Sequence, residues 1–212
     1  MNTSDLLKTL YITPLLMLLF STTAQAVLVE RNWQSTGDNA LTLDTDTGLE
    51  WLDITSTSNM SYNEVFAELG TGGTYEGFSF ASQEQILGLF SAVDLAEIPN
   101  VPEFLGGEEQ IQSLLNVWGV TWNLGTGERT EFLTSNTDGL NANEHWAGRV
   151  FWLASGDTGS ASMLYSRNDD YKSLTIGSAL VRTASPVPLP AAFWLFSSGL
   201  IGLTGFIRRR NL

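Results

Sequence analysis

The sequence predicts an α+β domain with a mostly antiparallel sheet and two or three short helices, set between an N-terminal signal peptide and a C-terminal transmembrane helix. Three observations lead to this prediction. Short runs of alternating apolar and polar residues, separated by Gly, Asp and Asn turns, are typical of antiparallel strands. Two capping boxes, beginning at Ser61 and Ser82, precede residues with helical apolar spacing. Uncharged apolar runs lie near both ends of the 212 residues.

The N-terminal residues have the three parts of a secretory signal peptide. Lys8 precedes an apolar run over residues 10–20, and the small-residue site Ala24-Gln25-Ala26 follows. The run is shorter than the roughly 20 residues that span a bilayer. Signal peptidase is therefore expected to cut after Ala26 and remove residues 1–26. A buried core helix is the alternative interpretation.

The region after Ala26 begins with strands and then turns to helices. Residues 27–33 suit a first strand, and residues 41–44 and 49–54 form a hairpin pattern in which Gly48 supplies a positive φ. Helices are predicted after each capping box. A third helix is predicted over residues 108–118, where acids in the first turn interact favourably with the positive end of the helix dipole.

Strand patterns dominate the rest of the domain, which we place at residues 27–183. No internal repeat is visible. The candidate strands are residues 120–124, 130–134, 149–154, 161–166 and 174–181.

Charge and composition exclude several functions. Residues 27–187 hold six Lys and Arg against 22 Asp and Glu, a net charge of −16. Such a surface repels nucleic acid and anionic headgroups. The chain has no cysteine and a single histidine, His145, which excludes thiol catalysis, iron–sulfur clusters and zinc sites built on cysteine or several histidines within one chain.

The C-terminal residues predict a membrane tail. A linker with a Pro-Leu-Pro motif (184–190) precedes an uncharged run (191–207) and a basic tail (208–212). At 1.5 Å per residue the run reaches about 25 Å, close to the thickness of the hydrocarbon core. The arginines that follow predict a cytoplasmic C-terminus and a domain outside the membrane. A buried terminal helix is the alternative.

This tail resembles the VPLPA variant of the PEP-CTERM sorting domain. The residues that carry the resemblance are Val187, Pro188, Leu189, Pro190, Ala191, Arg208, Arg209 and Arg210. The resemblance implies an exosortase, an integral-membrane cysteine protease, as the partner that reads the motif, and a Gram-negative host that makes exopolysaccharide. Leu189 departs from the commoner Pro-Glu-Pro form, which leaves open which sorting enzyme reads it.

The domain itself resembles DUF1566-type, lectin-like modules. The match lies in residues 44–53 with their Thr-Gly-Leu-x-Trp hairpin, in residues 77–86, and in residues 178–182. Phe78-Ser79 replaces the Trp-Arg of the second element. The resemblance implies an extracellular binding module, with glycan adhesion in some members, and it carries over no catalytic residue.

Two sets of residues are candidates for ligand contact. Asp44, Asp46, Glu50 and Asp53 follow a shortened calcium-loop pattern, for which an ordinary hairpin turn is the alternative. Trp122 and Trp146 have polar neighbours and are candidates for sugar stacking, with core packing as the alternative. Trp51 and Trp152 lie within apolar runs and are predicted to be core.

The sequence predicts no catalytic residue. Ser79 lies in a near miss to a nucleophile elbow, and His145 is the only histidine available as its base. We therefore expect a non-enzymatic module that binds polysaccharide or another envelope component, with no cofactor other than a calcium ion at the carboxylates above. A secreted hydrolase that uses two carboxylates, or a purely structural matrix protein, are the alternatives.

Overall fold

The computed structural model describes residues 28–99, 103–123, 125–137, 139–156 and 158–185. The signal peptide (1–26), the sorting motif (187–191), the apolar run (191–207) and the basic tail (208–212) lie outside the described residues. Within those residues, no helix is long and apolar enough to cross a membrane.

The described residues form twelve strands, one short 3-10 helix over Ile54–Thr57, and three α-helices. The helices are α1 (Tyr62–Ala67), α2 (Gln83–Ala92) and α3 (Glu108–Trp118). The strands are β1 (Leu28–Arg31), β2 (Leu41–Asp44), β3 (Leu49–Leu52), β4 (Ser79–Phe80), β5 (Ala96–Glu97), β6 (Glu103–Gly106), β7 (Trp122–Asn123), β8 (Gly127–Thr137), β9 (Glu144–Leu153), β10 (Gly159–Asn168), β11 (Ile176–Ser178) and β12 (Leu180–Thr183).

The strands form two sheets. The first has the order β1-β2-β3-β12-β4, and the second has the order β11-β8-β9-β10-β6-β5, with β7 on β8. Only β11 and β8 run parallel among the described pairs. This confirms an α+β fold with mostly antiparallel pairing. The sequence predicted one sheet; the chain instead passes from the second sheet to the first at Ala179, between β11 and β12. The sequence did not predict β5 and β6, because β5 has only two residues and residues 103–106 do not alternate between apolar and polar side chains.

The local predictions for the first half of the domain are confirmed. β2 and β3 pair as a hairpin, and Gly48 has a φ of 69°. Ser61 with Glu64, and Ser82 with Gln85, each form a complete capping box at the start of α1 and α2. In each box the side chains satisfy backbone N–H groups that the first helical turn leaves free.

Helix α3 lies between the two sheets and carries the centre of the core. Its buried residues Ile111, Leu114, Leu115 and Trp118 follow the spacing of one helical face. The fully buried Trp118 ring lies 5.8 Å from Trp51 of the first sheet and 4.6 Å from Phe132 of the second, centroid to centroid. Trp51 and Trp152 are 1% and 7% exposed, which confirms their prediction as core residues.

Gly119 ends helix α3 in a conformation that only glycine adopts readily. Its φ of 71° and ψ of 160° lie in that region. A Cβ atom there would overlap the carboxylate of Asp53. That carboxylate caps the 3-10 helix through the N–H and hydroxyl of Thr55, and burial raises its pKa. Its place beside Gly119 links the hairpin to the end of α3.

We predict that Gly119→Ala lowers the free energy of unfolding by about 1–3 kcal/mol, because alanine is strained at this backbone conformation and meets Asp53. Gly88→Ala is the matched control. Gly88 lies in the exposed interior of α2 with open space where a Cβ would be added, so this change should raise the free energy of unfolding by about 0.5–1 kcal/mol. Urea unfolding measures both. Equal effects of the two changes would contradict the role given to Gly119.

Candidate functional site

The candidate site is the outer face of the second sheet. The inner face packs Phe132, Val150 and Ala161 into the core around α3. Successive side chains of a strand point to opposite faces, so the neighbours of these residues face outward. The register pairs Glu131 with Arg149 across β8 and β9, and Arg149 with Ser162 across β9 and β10. Polar and charged side chains from three adjacent strands therefore share this face.

Four of these side chains define what we call the arginine–tyrosine face: Arg129 on β8, Arg149 on β9, and Tyr165 and Arg167 on β10. All four are half-buried. Arg129 pairs in register with Phe151, which places it diagonal to Arg149 with Cβ atoms about 7–8 Å apart. Three of the six basic residues of the domain thus lie on one face of a strongly acidic molecule.

Aromatic rings hold two of the three arginines in place. The Arg129 guanidinium lies 4.8 Å from the Trp122 ring centroid, and its Nε lies 3.2 Å from a carboxylate oxygen of Glu131. The Arg167 guanidinium lies 4.3 Å from the Tyr165 ring and 5.2 Å from the Tyr171 ring. Cation–π contacts of this kind favour an extended, ordered arginine.

Among the described side chains, no carboxylate forms an ion pair with Arg149 or Arg167. Among the described residues, the ion pairs involve Arg31, Arg129, His145, Lys172 and Arg182. Arg149 joins none of them, and its Nε is buried without a hydrogen-bond acceptor. Arg167 donates only to the neighbouring Ser166 carbonyl, at 3.4 Å. Two guanidinium groups without a counter-ion are unexpected in a domain with 22 carboxylates.

Two hydroxyl groups on this face are also buried without a hydrogen-bond partner, those of Tyr165 and Ser162. Burial raises the pKa of Tyr165, and the charge of Glu131 raises it further, against the opposing effect of Arg167 and Arg149. Tyr165 therefore keeps its proton in neutral and mildly alkaline solution and can donate it in a hydrogen bond. Buried polar groups normally have partners, so these hydroxyls are candidates for a hydrogen bond to water or to a ligand.

The two tryptophans proposed for sugar contact lie on opposite faces of the second sheet. Trp122 is half-buried on the outer face, beneath Arg129. Trp146 packs against the core on the inner face. The structure therefore brings Trp122 into the candidate site and keeps Trp146 out of it.

The four carboxylates proposed for calcium do not converge. Asp44 accepts hydrogen bonds from Asp46 N and Thr47 Oγ1 within the hairpin turn, where Asp46 is exposed. Glu50 is 5% exposed and pairs with Arg31 at 3.0 Å and Arg182 at 2.8 Å. Asp53 caps the 3-10 helix. Among the described residues, no three acidic or histidine side chains form a group that could hold a metal ion. Calcium binding stays a prediction.

His145 and Ser79 have separate partners. His145 Nδ1 lies 2.6 Å from Asp169 Oδ1, and its ring stacks on Tyr62 with centroids 3.7 Å apart. The Ser79 hydroxyl donates to the Val181 carbonyl in the first sheet. A nucleophile and its base must be within hydrogen-bond reach of each other, and no such bond joins these two described residues.

A groove of about 740 Å³ lies between the first sheet and helices α2 and α3. Glu30, Asp94 and Glu109 line it, and all three are exposed. A carboxyl group that serves as a general acid usually needs burial or a close second carboxylate to stay protonated. The groove is therefore a weak candidate for an active site. The arginine–tyrosine face is the stronger candidate for a functional site, as a binding surface.

Sequence reasoning missed the arginine–tyrosine face. The signal that was present is the position of Arg129, Arg149 and Arg167 in strands, each out of phase with the buried apolar residues. That pattern predicts an outward direction for each arginine. It does not show that β8, β9 and β10 are neighbours, nor which residues lie opposite each other.

We predict that Tyr165→Phe reduces the loss of stability at alkaline pH. Because the folded-state pKa of Tyr165 lies above the usual value of 10, its neutral hydroxyl stabilises the fold below pH 10, and that stability is lost as the pH rises through the folded-state pKa. Denaturant unfolding on both sides of pH 10 measures the difference. Tyr171→Phe, which removes an exposed hydroxyl, is the control. Identical alkaline losses in Tyr165→Phe and the unmodified protein would contradict the assignment.

Comparison with models of protein families, with curated protein sequences and with solved structures finds no match to this chain. The resemblances to a sorting domain and to a lectin-like module rest on the residues quoted for them above.

Proposed function

We propose that this is an exported protein sorted to the cell surface or extracellular matrix, and that its domain is a non-enzymatic module that binds glycan or another envelope component. The observation that supports the proposal of export and sorting is the three-part tail, which consists of the Pro-Leu-Pro motif, the uncharged residues 191–207, and the arginines 208–210. Signal peptidase and an exosortase-type protease are the partners that this proposal requires.

The position of the domain ends is consistent with this proposal. β1 begins at Leu28, just after the proposed cleavage at Ala26, and β12 ends at Thr183, shortly before Val187. Both proposed cleavage sites lie outside the described residues. Cutting there would leave every described strand pairing intact. The inner membrane is then a transient anchor, or a permanent one if the tail is retained.

The observation that supports binding is the arginine–tyrosine face, whose four side chains are half-buried. It combines aromatic rings, unpaired guanidinium groups and buried hydroxyls, which together suit a polar ligand with ring-shaped apolar surfaces. Nucleic acid is disfavoured as the ligand because the domain carries a net charge of −16.

A carboxylate-based hydrolase is the second candidate, favoured by the three acids that line the groove beside α3. In that case Glu109→Gln would abolish release of reducing ends from a polysaccharide. The exposure of all three acids favours the binding function.

We predict that intact-mass measurement of the protein fractionated from its native host shows two cleavages. One lies after Ala26 and the other close to Pro190. Recombinant expression without an exosortase should yield only the first. A native mass that retains residues 1–26, or a second cut within β12, would contradict the proposed processing.

We predict that a glycan-array screen of the full-length chain in a non-sugar detergent detects binding, and that EDTA changes it only if calcium takes part. Chain heated beyond its unfolding transition is the control for non-specific capture. No binding to any glycan, with or without EDTA, would count against the glycan-binding form of the proposal.

A further inference from the structure

We propose that the arginine–tyrosine face binds a carboxylate-bearing sugar, of the hexuronate class, in an acidic polysaccharide. This inference rests on the proposed glycan-binding function and names the ligand class and the residues of that site. Arg149 is the central cation, Tyr165 donates a hydrogen bond, and Arg167 supplies the second positive charge.

The charge balance of the domain favours an anionic ligand at this face. Acids outnumber bases by 22 to six in residues 27–187, so chance favours a carboxylate next to every arginine. Glu131, directly opposite Arg149 in register, lies beside Arg129 instead. Arg149 and Arg167 are left without an ion pair among the described side chains. A half-buried cation without a counter-ion is costly, and an external carboxylate would remove that cost.

The hydrogen-bond donors of this face match those that bind a carboxylate. A carboxylate accepts from a planar guanidinium and from a neutral hydroxyl. Tyr165 lies within electrostatic reach of both Arg149 and Arg167 and keeps its proton because its pKa is raised. The Tyr165 ring packs against the buried cluster of Leu133, Ala147 and Ile176, which holds it on this face. The two guanidinium groups and the Tyr165 hydroxyl therefore flank one place on the sheet, where the Glu131 carboxylate competes as an acceptor for the Tyr165 proton.

The apolar side chains beside the arginines favour a sugar over other anions. Phe151, Leu105 and Leu153 continue the same face along β9 and β6, and the last two are 40% and 41% exposed. An apolar strip beside a cationic centre suits a ligand with both a ring face and a charge. Densely charged polyanions such as nucleic acid would experience the repulsion of the whole acidic domain. A polysaccharide with widely spaced carboxylates experiences less of it.

The test measures binding of full-length chain, in a non-sugar detergent, to short oligomers of galacturonate, mannuronate and glucuronate, and to the methyl esters of the same oligomers. The esters keep the ring and lose the charge. We expect at least one acid oligomer to bind, its ester to bind about tenfold or more weakly, and Arg149→Gln to weaken acid binding by a similar factor. Tyr165→Phe should weaken it by a smaller factor, because it removes one uncharged donor.

Lys172→Gln is the matched control, since it makes the same change in net charge at an exposed residue already paired with Glu64. It should leave affinity within about twofold. Equal binding of acid and ester, or equal effects of Arg149→Gln and Lys172→Gln, would overturn this inference while leaving glycan binding intact. Binding of a DNA oligonucleotide or anionic vesicles in place of every oligomer would overturn it too. Failure to bind any oligomer, acid or ester, would also overturn this inference, while the glycan array tests the proposed function separately.

Discussion

The packing of Trp118 between the two sheets is the interaction on which the rest of the structure depends. Its ring contacts Trp51 of the first sheet, Phe132 of the second and Phe90 of α2. Burying such large rings contributes several kcal/mol of stabilisation. The same packing keeps α3 on the inner face of the second sheet. The opposite side of the sheet carries the half-buried arginine–tyrosine face and the buried cluster of Leu133, Ala147 and Ile176.

The outer face illustrates how an acidic protein can present a cationic site. Cross-strand pairing brings arginines from β8, β9 and β10 onto one face, where Glu131 pairs with Arg129 and lies opposite Arg149 in register. Aromatic contacts at Trp122, Tyr165 and Tyr171 order two of the guanidinium groups without neutralising them. Local positive potential is thereby retained within a negative field. That arrangement favours ligands of low charge density and discourages densely charged polyanions.

The carboxylates of the hairpin each have a separate local partner. In an antiparallel hairpin, opposite residues point to the same face. Leu43 pairs with Glu50 and Asp44 with Leu49, so the register directs Asp44 and Glu50 to opposite faces. Asp44 then bonds the turn, Glu50 pairs with two arginines, and Asp53 reaches the end of α3. A sequence motif with acids at alternate positions is therefore explained by three separate local bonds.

The sequence by itself determined the helix starts at Ser61 and Ser82 and the hairpin around Gly48, because each depends on residues a few positions apart. The net negative charge follows from composition alone. The sorting tail is likewise a prediction from the sequence. The sequence also predicted the α+β class and most strands. Only the tertiary structure decided that there are two sheets and that Trp122 and Trp146 lie on opposite faces. It alone decided that Arg149 and Arg167 lie on either side of Tyr165, with no ion pair to a described carboxylate. The physical reason is strand pairing: register joins residues distant in sequence, and a shift of one residue would turn each side chain to the other face.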